Sequence, residues 1–194
     1  MSKIILASKS KVRKKILDDY DILNEVKPSN VDEDIVKSSL LKEKASPELI
    51  SKNLAELKAN KISVKFSDNL VLGADSVIDL DGELISKPDN REDALEILKK
   101  LNGKKHHLIS SVCISKNGAM TWNYTDKSEL KMKNLSENQL KTYLKKIKTK
   151  TLLLYGVYQI EAGGLELFEK ITGNKDSIMG LPIKQILNYI RNYK

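Results

Sequence analysis

Apolar residues form two short runs near the middle of the chain, separated by a few small and polar residues. The first run, 70–72, is followed by a glycine and an alanine, which predicts that a buried strand ends where Asp75 begins. The second run leads into Asp81-Gly82, a dipeptide typical of tight β-hairpin turns. The returning strand is then expected to bring Lys87 back to the level of Asp75.

The acidic and the basic side chain of this hairpin have two interpretations. Asp75 can activate water or hold a metal ion, and Lys87 can neutralise phosphate oxygens, so the pair suits chemistry on a phosphate. Alternatively, the two side chains form only a salt bridge on the hairpin. This stretch by itself leaves both interpretations open.

Another apolar run, Lys3–Ala7 near the start of the chain, predicts a short strand that leads directly into a helix. Apolar residues take up helical spacing just after Ser8 and Ser10, and either serine is a suitable N-cap. Arg13 falls one turn inside this helix, so the helix start combines hydroxyl groups with a cation and predicts an anion site. The alternative is an ordinary capped helix whose arginine faces solvent.

Another helix is predicted from Ser46-Pro47 towards Ser63, because serine followed by proline is a typical N-cap and first turn. Lys58 lies beside the apolar stripe of this helix, where it either points into a cleft or extends its ammonium group to the surface. The stripe comprises Leu49, Ile50, Leu54, Leu57 and Ile62.

A short acidic segment, Asp32-Glu33-Asp34, stands out in a basic chain. It is suited either to hold a divalent cation or to cap the next element. Local signals mark further elements downstream: Asn90 begins a helix, Ser136 and Gln139 form a capping box, and Pro182 begins a final amphipathic helix. Glycines are frequent within 156–173, which predicts tight backbone near a ligand or another strand.

The formal net charge is +8, but it does not by itself indicate a nucleic-acid-binding protein. Of 34 basic residues only Arg13, Arg91 and Arg191 are arginines, and the lysines are spread along the whole chain. Proteins that read or stack nucleic-acid bases depend on arginine and on interleaved aromatic residues, and aromatics make up only 5% here. We expect a solvated lysine-rich surface that attracts anionic small substrates, and no stable nucleic-acid partner.

Length and composition are those of a globular protein, which we expect to be one domain over residues 1–194. Cys113 is the single cysteine, which excludes an internal disulfide and a cysteine-based zinc site. No apolar run approaches the roughly 20 residues that span a bilayer, and the apolar run at the start is too short for a signal peptide. We therefore expect a cytoplasmic location and no membrane partner.

Seven short motifs jointly resemble those of the Maf-type nucleoside triphosphate pyrophosphatases, and they are spread over nearly the whole chain. Each motif is weak alone, but seven in the same order are specific. They are Leu6-Ala7-Ser8-Lys9-Ser10 with Arg13, Asp32-Glu33, Leu54-Ala55 with Lys58-Ala59, Gly73-Ala74-Asp75-Ser76, Lys87-Pro88, Leu101-Asn102-Gly103 with His106 and Ser110, and Gly180-Leu181-Pro182.

This resemblance implies an α/β fold, with a curved mixed β-sheet flanked by helices and two lobes around a deep nucleotide-binding cleft (Maf/ITPase-like). It also implies hydrolysis between the α- and β-phosphates of a nucleoside triphosphate, which gives the monophosphate and pyrophosphate. A divalent cation, Mg²⁺ or Mn²⁺, and a homodimer are implied as well. A role in removing triphosphates that should not enter nucleic acid would follow.

The resemblance also implies roles for particular residues. Asp75 would be the general base for the attacking water and a metal ligand, and Glu33 would help to place the metal. The remaining implied residues bind or neutralise phosphate: the catalytic cations Arg13, Lys58 and Lys87, and the hydroxyl groups of Ser8 and Ser10.

Several positions bear on the preferred base. Val12 stands where the dTTP- and UTP-cleaving branch has an arginine, and Leu153-Leu154 replaces its Asp-Lys pair. Glu161 looks more like the 7-methyl-GTP-cleaving branch, and a carboxylate there suits a positively charged methylated base, a guanine edge or a second metal ligand. Asp75-Ser76 is closer to the first branch. The sequence favours a modified base over dTTP or UTP.

A competing interpretation is a non-enzymatic regulator that binds nucleotides or nucleic acid, favoured by the net charge and the missing Asp-Lys pair. A further one is a scaffold with a degenerate site that binds nucleotides without hydrolysis. The presence of Asp75, Glu33, Lys58 and Lys87 favours the enzyme.

Overall fold

A mixed sheet of seven strands is the centre of the fold in the computed structural model, which describes residues 3–160 and 163–193. The strands are β1 (Ile4–Leu6), β2 (Asn24–Val26), β3 (Val71–Leu80), β4 (Glu83–Ile85), β5 (Lys105–Lys116), β6 (Ala119–Met132) and β7 (Phe168–Thr172). The helices are α1 (Lys11–Asp19), α2 (Glu33–Lys42), α3 (Pro47–Ser63), α4 (Arg91–Leu101), α5 (Glu137–Lys145), α6 (Thr149–Tyr155), α7 (Lys175–Ile178) and α8 (Ile183–Asn192), with a 3-10 helix at Gly164–Leu167.

The strands are ordered β2-β1-β3-β5-β6-β7, and β4 pairs with β3 outside this path. The pairs among β2, β1 and β3 are parallel, and those among β3, β5, β6 and β7 are antiparallel. The α/β class with a mixed sheet flanked by helices, expected from the resemblance, is confirmed.

One side of β3 is only partly covered by other strands. Strand β1 pairs with it at Val71 and Leu72, and β4 pairs with it at 78–80. Among the described residues, 73–77 therefore have no strand partner on that side. On the other side β5 pairs continuously from Val71 to Asp79. This one-sided gap leaves room for a site beside β3.

The prediction that a strand ends before Asp75 is wrong. Asp75 lies within β3, because β5 supplies backbone partners past the point at which β1 ends. The Asp81-Gly82 hairpin is confirmed, but β4 has only three residues and ends at Ile85. Lys87 therefore follows the returning strand instead of lying on it.

Helix α3 packs very closely on β3, and a glycine makes this possible. A Cβ atom on Gly73 would lie 2.1 Å from the carbonyl oxygen of Ala55 and 2.9 Å from the Cβ of Ala59. Only a residue without a side chain fits this contact. The contact brings the face of α3 that carries Lys58 against the face of β3 that carries Asp75.

The predicted apolar stripe of α3 is correct in part. Ile50, Leu54 and Ile62 are buried, whereas Leu49 and Leu57 are 47% and 39% exposed. The buried face of the helix instead includes Ser51 and Lys58. Ala55 and Ala59 are at the centre of the face that packs on β3, and at 100° per residue Leu49 and Leu57 lie outside this face.

Two hydrophobic clusters account for most of the buried side chains. One joins β1, α1 and α8 and includes Leu6, Leu17 and Ile186. The other joins α4, α5 and α6 to the ends of β6 and β7 and includes Leu98 and Leu152. The two clusters give the fold two halves that share the central strands.

The local signals in the sequence are confirmed. Ser46 accepts a hydrogen bond from the Leu49 amide at the start of α3, and Asn90 accepts one from Asp93 at the start of α4. Ser136 and Gln139 form the reciprocal capping box of α5. Within the described ranges, no helix has the length and apolar character that a membrane crossing requires.

Candidate active site

A cavity of about 750 Å³ opens beside the uncovered part of β3. Its polar end is formed by the loop between β1 and α1, the start of α2, and Lys58 on α3. Its other walls are formed by residues 76–78 and 84–87, by the segment 154–160, and by residues 178–180. Both halves of the molecule thus contribute to the cavity, in agreement with the cleft that was expected.

Asp75 is the most buried acid in the cavity, with an exposed fraction of 5%. Its Oδ1 accepts a hydrogen bond from Lys58 Nζ at 2.7 Å. Its Oδ2 is buried and has no hydrogen-bond partner among the described residues. A buried carboxylate oxygen without a partner is costly, so this atom is suited to bind water or a cation.

Lys58 joins two carboxylates. Its Nζ lies 2.7 Å from Asp75 Oδ1 and 2.7 Å from Glu33 Oε1, and its residue exposure is 6%. The two carboxylate oxygens are therefore at most 5.4 Å apart, twice the shared distance. Of the two interpretations of this lysine, the one in which it points into a cleft is correct.

Glu33 is the first residue of α2 and follows Asp32, whose side chain caps this helix by accepting from the Ile35 amide. Burial alone would raise the pKa of Glu33, but the ammonium groups of Lys58, Lys87 and Lys37 outweigh it and hold the pKa at about 2. Glu33 is therefore ionised at neutral pH. Of the acidic segment, Asp32 serves as a cap and Glu33 belongs to the cavity.

Lys87 lies in the loop after β4 and lines the cavity. Burial lowers the pKa of its ammonium group, and the charge of Glu33 opposes this shift. Lys37 also approaches the acidic pair, at 3.5 Å from Glu33 Oε2. The carboxylates are thus surrounded by lysines from three different segments.

Ser8 and Ser10 line the cavity where β1 leads into α1. Ser10 is the N-cap, and its Oγ accepts from the amide of Arg13. Ser8 Oγ accepts from the Ser10 amide and from Arg13 Nη1, both at 3.2 Å. The first turn of α1 therefore presents hydroxyl groups at a helix N-terminus, where anions bind favourably.

Arg13 lies in the wall of the cavity and is held by the protein itself. Its Nε donates to the Gly180 carbonyl at 2.9 Å, its Nη1 to the Ala74 carbonyl at 2.9 Å and to Ser8, and its Nη2 to Ser76 Oγ at 3.0 Å. Burial lowers the pKa of the guanidinium, while Asp75 and Glu33 act in the opposite direction. Most of its donors are therefore engaged, and what it offers the cavity is chiefly its charge.

Glu161, predicted to bind substrate, lies outside the described residues. Tyr158 lines the cavity, and its hydroxyl is 2.9 Å from His106 Nε2. Burial raises the pKa of Tyr158 and lowers that of His106, to about 4, so both are neutral at pH 7. His106 belongs to one of the seven motifs, but its pairing with Tyr158 was not predicted; the glycines of 156–173 indicated only tight backbone near a ligand or another strand.

The acids that line the described part of the cavity are Asp75 and Glu33, and no cluster of three or more potential metal-binding side chains occurs in 3–160 and 163–193. The free Asp75 Oδ2 and the adjacent Glu33 carboxylate fit a cation that takes most of its ligands from water and substrate phosphates, as Mg²⁺ commonly does. They do not form a complete cage of protein ligands.

Comparison with known proteins places these residues in a family. The model described as Maf-like protein matches residues 3–193. A nucleoside triphosphate pyrophosphatase of Pelagibacter ubique (strain HTCC1062) is 64% identical over 100% of both chains. A nucleoside triphosphate pyrophosphatase of Ruegeria pomeroyi (strain ATCC 700808 / DSM 15171 / DSS-3) is 37% identical over 96% of this chain and 94% of the relative.

Two further similarities concern the substrate and the fold. A 7-methyl-GTP pyrophosphatase of Rhizobium etli (strain ATCC 51251 / DSM 11541 / JCM 21823 / NBRC 15573 / CFN 42) is 34% identical over 97% of this chain and 95% of the relative. The structure of the Staphylococcus aureus Ham1 protein covers 100% of both chains with a TM-score of 0.52 and 16% identity. At that identity the likeness describes the fold alone.

Proposed function

The chain belongs to the Maf-like protein family, and from this membership and the geometry of the cavity we propose how it acts on nucleotides. It is a nucleoside triphosphate pyrophosphatase, a hydrolase of phosphoric anhydrides, as its 64% identical relative is named. Its substrates are non-standard, modified or pyrimidine nucleoside triphosphates. Water cleaves the bond between the α- and β-phosphates, and the products are the monophosphate and pyrophosphate.

The observation that carries the proposal is the free Oδ2 of Asp75 beside the ammonium group of Lys58. In the proposed reaction this carboxylate removes a proton from the attacking water, and the new oxygen–phosphorus bond forms as the bond to pyrophosphate breaks. A general base must lie within hydrogen-bond reach of its water. This oxygen is buried without a partner in a residue that lines the cavity, and we propose that substrate binding brings the attacking water to it.

The cations around Asp75 stabilise the charge that moves onto the leaving pyrophosphate. Lys58 and Lys87 act from the polar end, and Arg13 contributes its charge from the wall. Ser8 and Ser10 bind phosphate oxygens at the start of α1. A divalent cation, Mg²⁺ or Mn²⁺, held by Glu33 and Asp75, would neutralise phosphate charge and polarise the phosphoryl group.

For the base we propose a modified purine of the 7-methyl-GTP type in preference to dTTP or UTP. The name of the Rhizobium etli relative supports this choice, as does Leu153-Leu154, which stands where the dTTP- and UTP-cleaving branch has an Asp-Lys pair. A carboxylate at position 161 of the sequence suits a cationic methylated ring. A house-cleaning role in a cytoplasmic location follows as part of the proposal.

We also propose that residues 1–194 form one domain and that the protein is a homodimer. The first is supported by the sheet, whose strands come from nearly the whole length of the chain. Light scattering behind size-exclusion chromatography at several protein concentrations measures the second. A mass near twice 21.9 kDa is expected, and a mass near that value itself contradicts the dimer.

A hydrolysis panel tests the activity and the base together. The purified protein is incubated with each of the four common ribonucleoside triphosphates, dTTP, 7-methyl-GTP and inosine triphosphate, in the presence of Mg²⁺ or Mn²⁺. The products are separated by anion exchange. Monophosphate and pyrophosphate from 7-methyl-GTP at the highest kcat/KM are expected. Diphosphate with orthophosphate would instead mean cleavage at the terminal anhydride and would contradict the proposed site.

The non-enzymatic alternative gives a different result in the same panel. A regulator would bind nucleotides or oligonucleotides tightly, without turnover, and oligonucleotide binding would weaken steeply with salt. The assembled Asp75, Glu33, Lys58 and Lys87 favour the enzyme, because a binding module does not require a buried acid with a free oxygen.

A further inference from the structure

We propose that Lys58 occupies the place of a cation between Glu33 and Asp75, and that the divalent cation therefore binds only together with the nucleotide. This inference rests on the proposed function and concerns the order in which that site is filled. It assigns Lys58 a second role, as a competitor of the free metal ion, in addition to its charge on the phosphates.

The geometry of the three side chains is the first step. The Lys58 ammonium lies 2.7 Å from one oxygen of each carboxylate, at contact distance for a charged hydrogen bond. The oxygens of Glu33 and Asp75 that a cation would bridge are thus already bridged by a positive charge. A divalent ion that bridges these two oxygens must displace Lys58, and one that binds through Asp75 Oδ2 instead lies close to its positive charge.

The surrounding charges are the second step. Within the described part of the cavity, two carboxylates face Lys58 together with Lys37, Lys87 and Arg13. Without substrate the cluster has an excess of positive charge, so a free divalent cation is repelled by four cations while it is attracted by two anions. Burial strengthens this repulsion because solvent screens it less.

The nucleotide reverses this balance. A triphosphate brings several negative charges into the cavity and gives the lysines new partners. The remaining Asp75 oxygen, Oδ2, is buried without a partner in the described chain, and it is left to bind the cation once the phosphates draw the lysines away. A cation that arrives on the triphosphate already has most of its ligands, so one or two carboxylates are sufficient to hold it.

The Lys58→Met variant tests the inference, because methionine has a similar length and no charge. Manganese binding is measured by electron paramagnetic resonance of free Mn²⁺, first without nucleotide. We expect the variant to bind Mn²⁺ about tenfold or more tightly than the wild-type protein. Lys52→Met, which removes an exposed lysine from the same helix, should leave the affinity unchanged within about twofold.

A second measurement adds a nucleotide analogue with a non-hydrolysable α–β bridge. The wild-type protein together with the analogue should bind Mn²⁺ at least about tenfold more tightly than the protein alone or the analogue alone. Lys58→Arg retains the charge and should behave as the wild-type protein. If Lys58→Met does not fold, Lys58→Arg and this affinity ratio for the wild-type protein still decide the question.

Several results would overturn the inference. One is tight Mn²⁺ binding by the wild-type protein without nucleotide, and another is weaker or equal binding by a folded Lys58→Met variant. These results are separate from the proposed function, because they do not require turnover. If no triphosphate is hydrolysed while the Mn²⁺ affinities follow the expectation, the proposed function fails and the inference stands.

Discussion

The guanidinium of Arg13 donates a hydrogen bond from Nε to the carbonyl oxygen of Gly180 at 2.9 Å, across 167 positions of the sequence. The same side chain also binds the Ala74 carbonyl in β3. One arginine thus ties the start of α1 to the central strand and to the turn after α7. The shape of the polar end of the cavity depends on this link, because all three segments line it or adjoin it.

Gly180→Ala should disturb the link. A Cβ there would lie 3.2 Å from both Arg13 Nε and Ser76 Oγ, and the φ of +96° is unfavourable for alanine. Gly82→Ala is the matched control, with a φ of +88° and no described atom within 4 Å of the added Cβ. Both variants should lose about 1 to 3 kcal/mol of stability.

The two glycine variants should differ in activity. We expect Gly180→Ala to reduce kcat/KM by about tenfold to a hundredfold, because small displacements of catalytic groups are costly. Gly82→Ala should keep the wild-type kcat/KM. Equal kcat/KM values, measured beside thermal unfolding of each variant, would show that the Arg13 link has no bearing on the reaction.

Substitutions of Ser10 should separate helix capping from phosphate binding. Ser10→Ala removes the cap and should cost about 1 kcal/mol in urea unfolding. Ser10→Asp retains the cap but places a negative charge in the cavity, so stability should be maintained while KM rises more than it does in Ser10→Ala. Ser46→Asp, the same change at the cap of α3, should leave KM unaltered. An unchanged KM for Ser10→Asp would exclude phosphate at this helix start.

Asp75→Asn should remove nearly all turnover, by a factor of about 10² to 10⁴, because an amide cannot accept the proton of water. Asp79→Asn is the control on the same face of β3: Asp79 is also buried, but it binds the Gly82 amide and Lys127 outside the cavity. Its kcat should be that of the wild-type protein. Steady-state hydrolysis with folding checked by circular dichroism measures both, and wild-type turnover in Asp75→Asn would refute its role as the base.

His106 should make stability depend on pH. Burial, with a smaller contribution from His107, lowers the pKa of His106 from 6.5 to about 4 in the folded state. Below pH 6.5 the unfolded chain therefore binds a proton that the folded chain does not, so folding weakens as the pH falls. The loss should reach about 2 kcal/mol between pH 7 and pH 5 and should be absent above pH 7.

The His106→Gln variant isolates this effect from the titration of carboxylates. The glutamine amide can donate to the Tyr158 hydroxyl or accept from it, but it has no ionisable group. Urea melts at pH 7, 6 and 5 give the unfolding free energy of both proteins. As the pH falls, the wild-type protein should lose stability relative to the variant. A constant difference would mean that His106 titrates normally in the folded protein.

Features that depend on a few consecutive residues could be predicted from the sequence. The caps at Ser46, Asn90 and Ser136 and the Asp81-Gly82 hairpin were all correct, because their geometry is decided by side chains within three or four positions. The motifs around Asp75 and Lys87 likewise indicated the family. Features of this local kind can be predicted without knowledge of the fold.

Other features were decided only by the tertiary structure. Asp75 lies within a strand because distant β5 supplies its backbone partners. Leu49 and Leu57 remain exposed because α3 packs on β3 through the face that carries Ala55 and Ala59. Lys58 could have extended to solvent, but Gly73 lets α3 approach β3 so closely that its ammonium meets Asp75 and Glu33. The sequence by itself determined which ionisable groups are present. Only packing between distant segments decided which of them meet, because burial and charge pairing depend on neighbours far away along the chain.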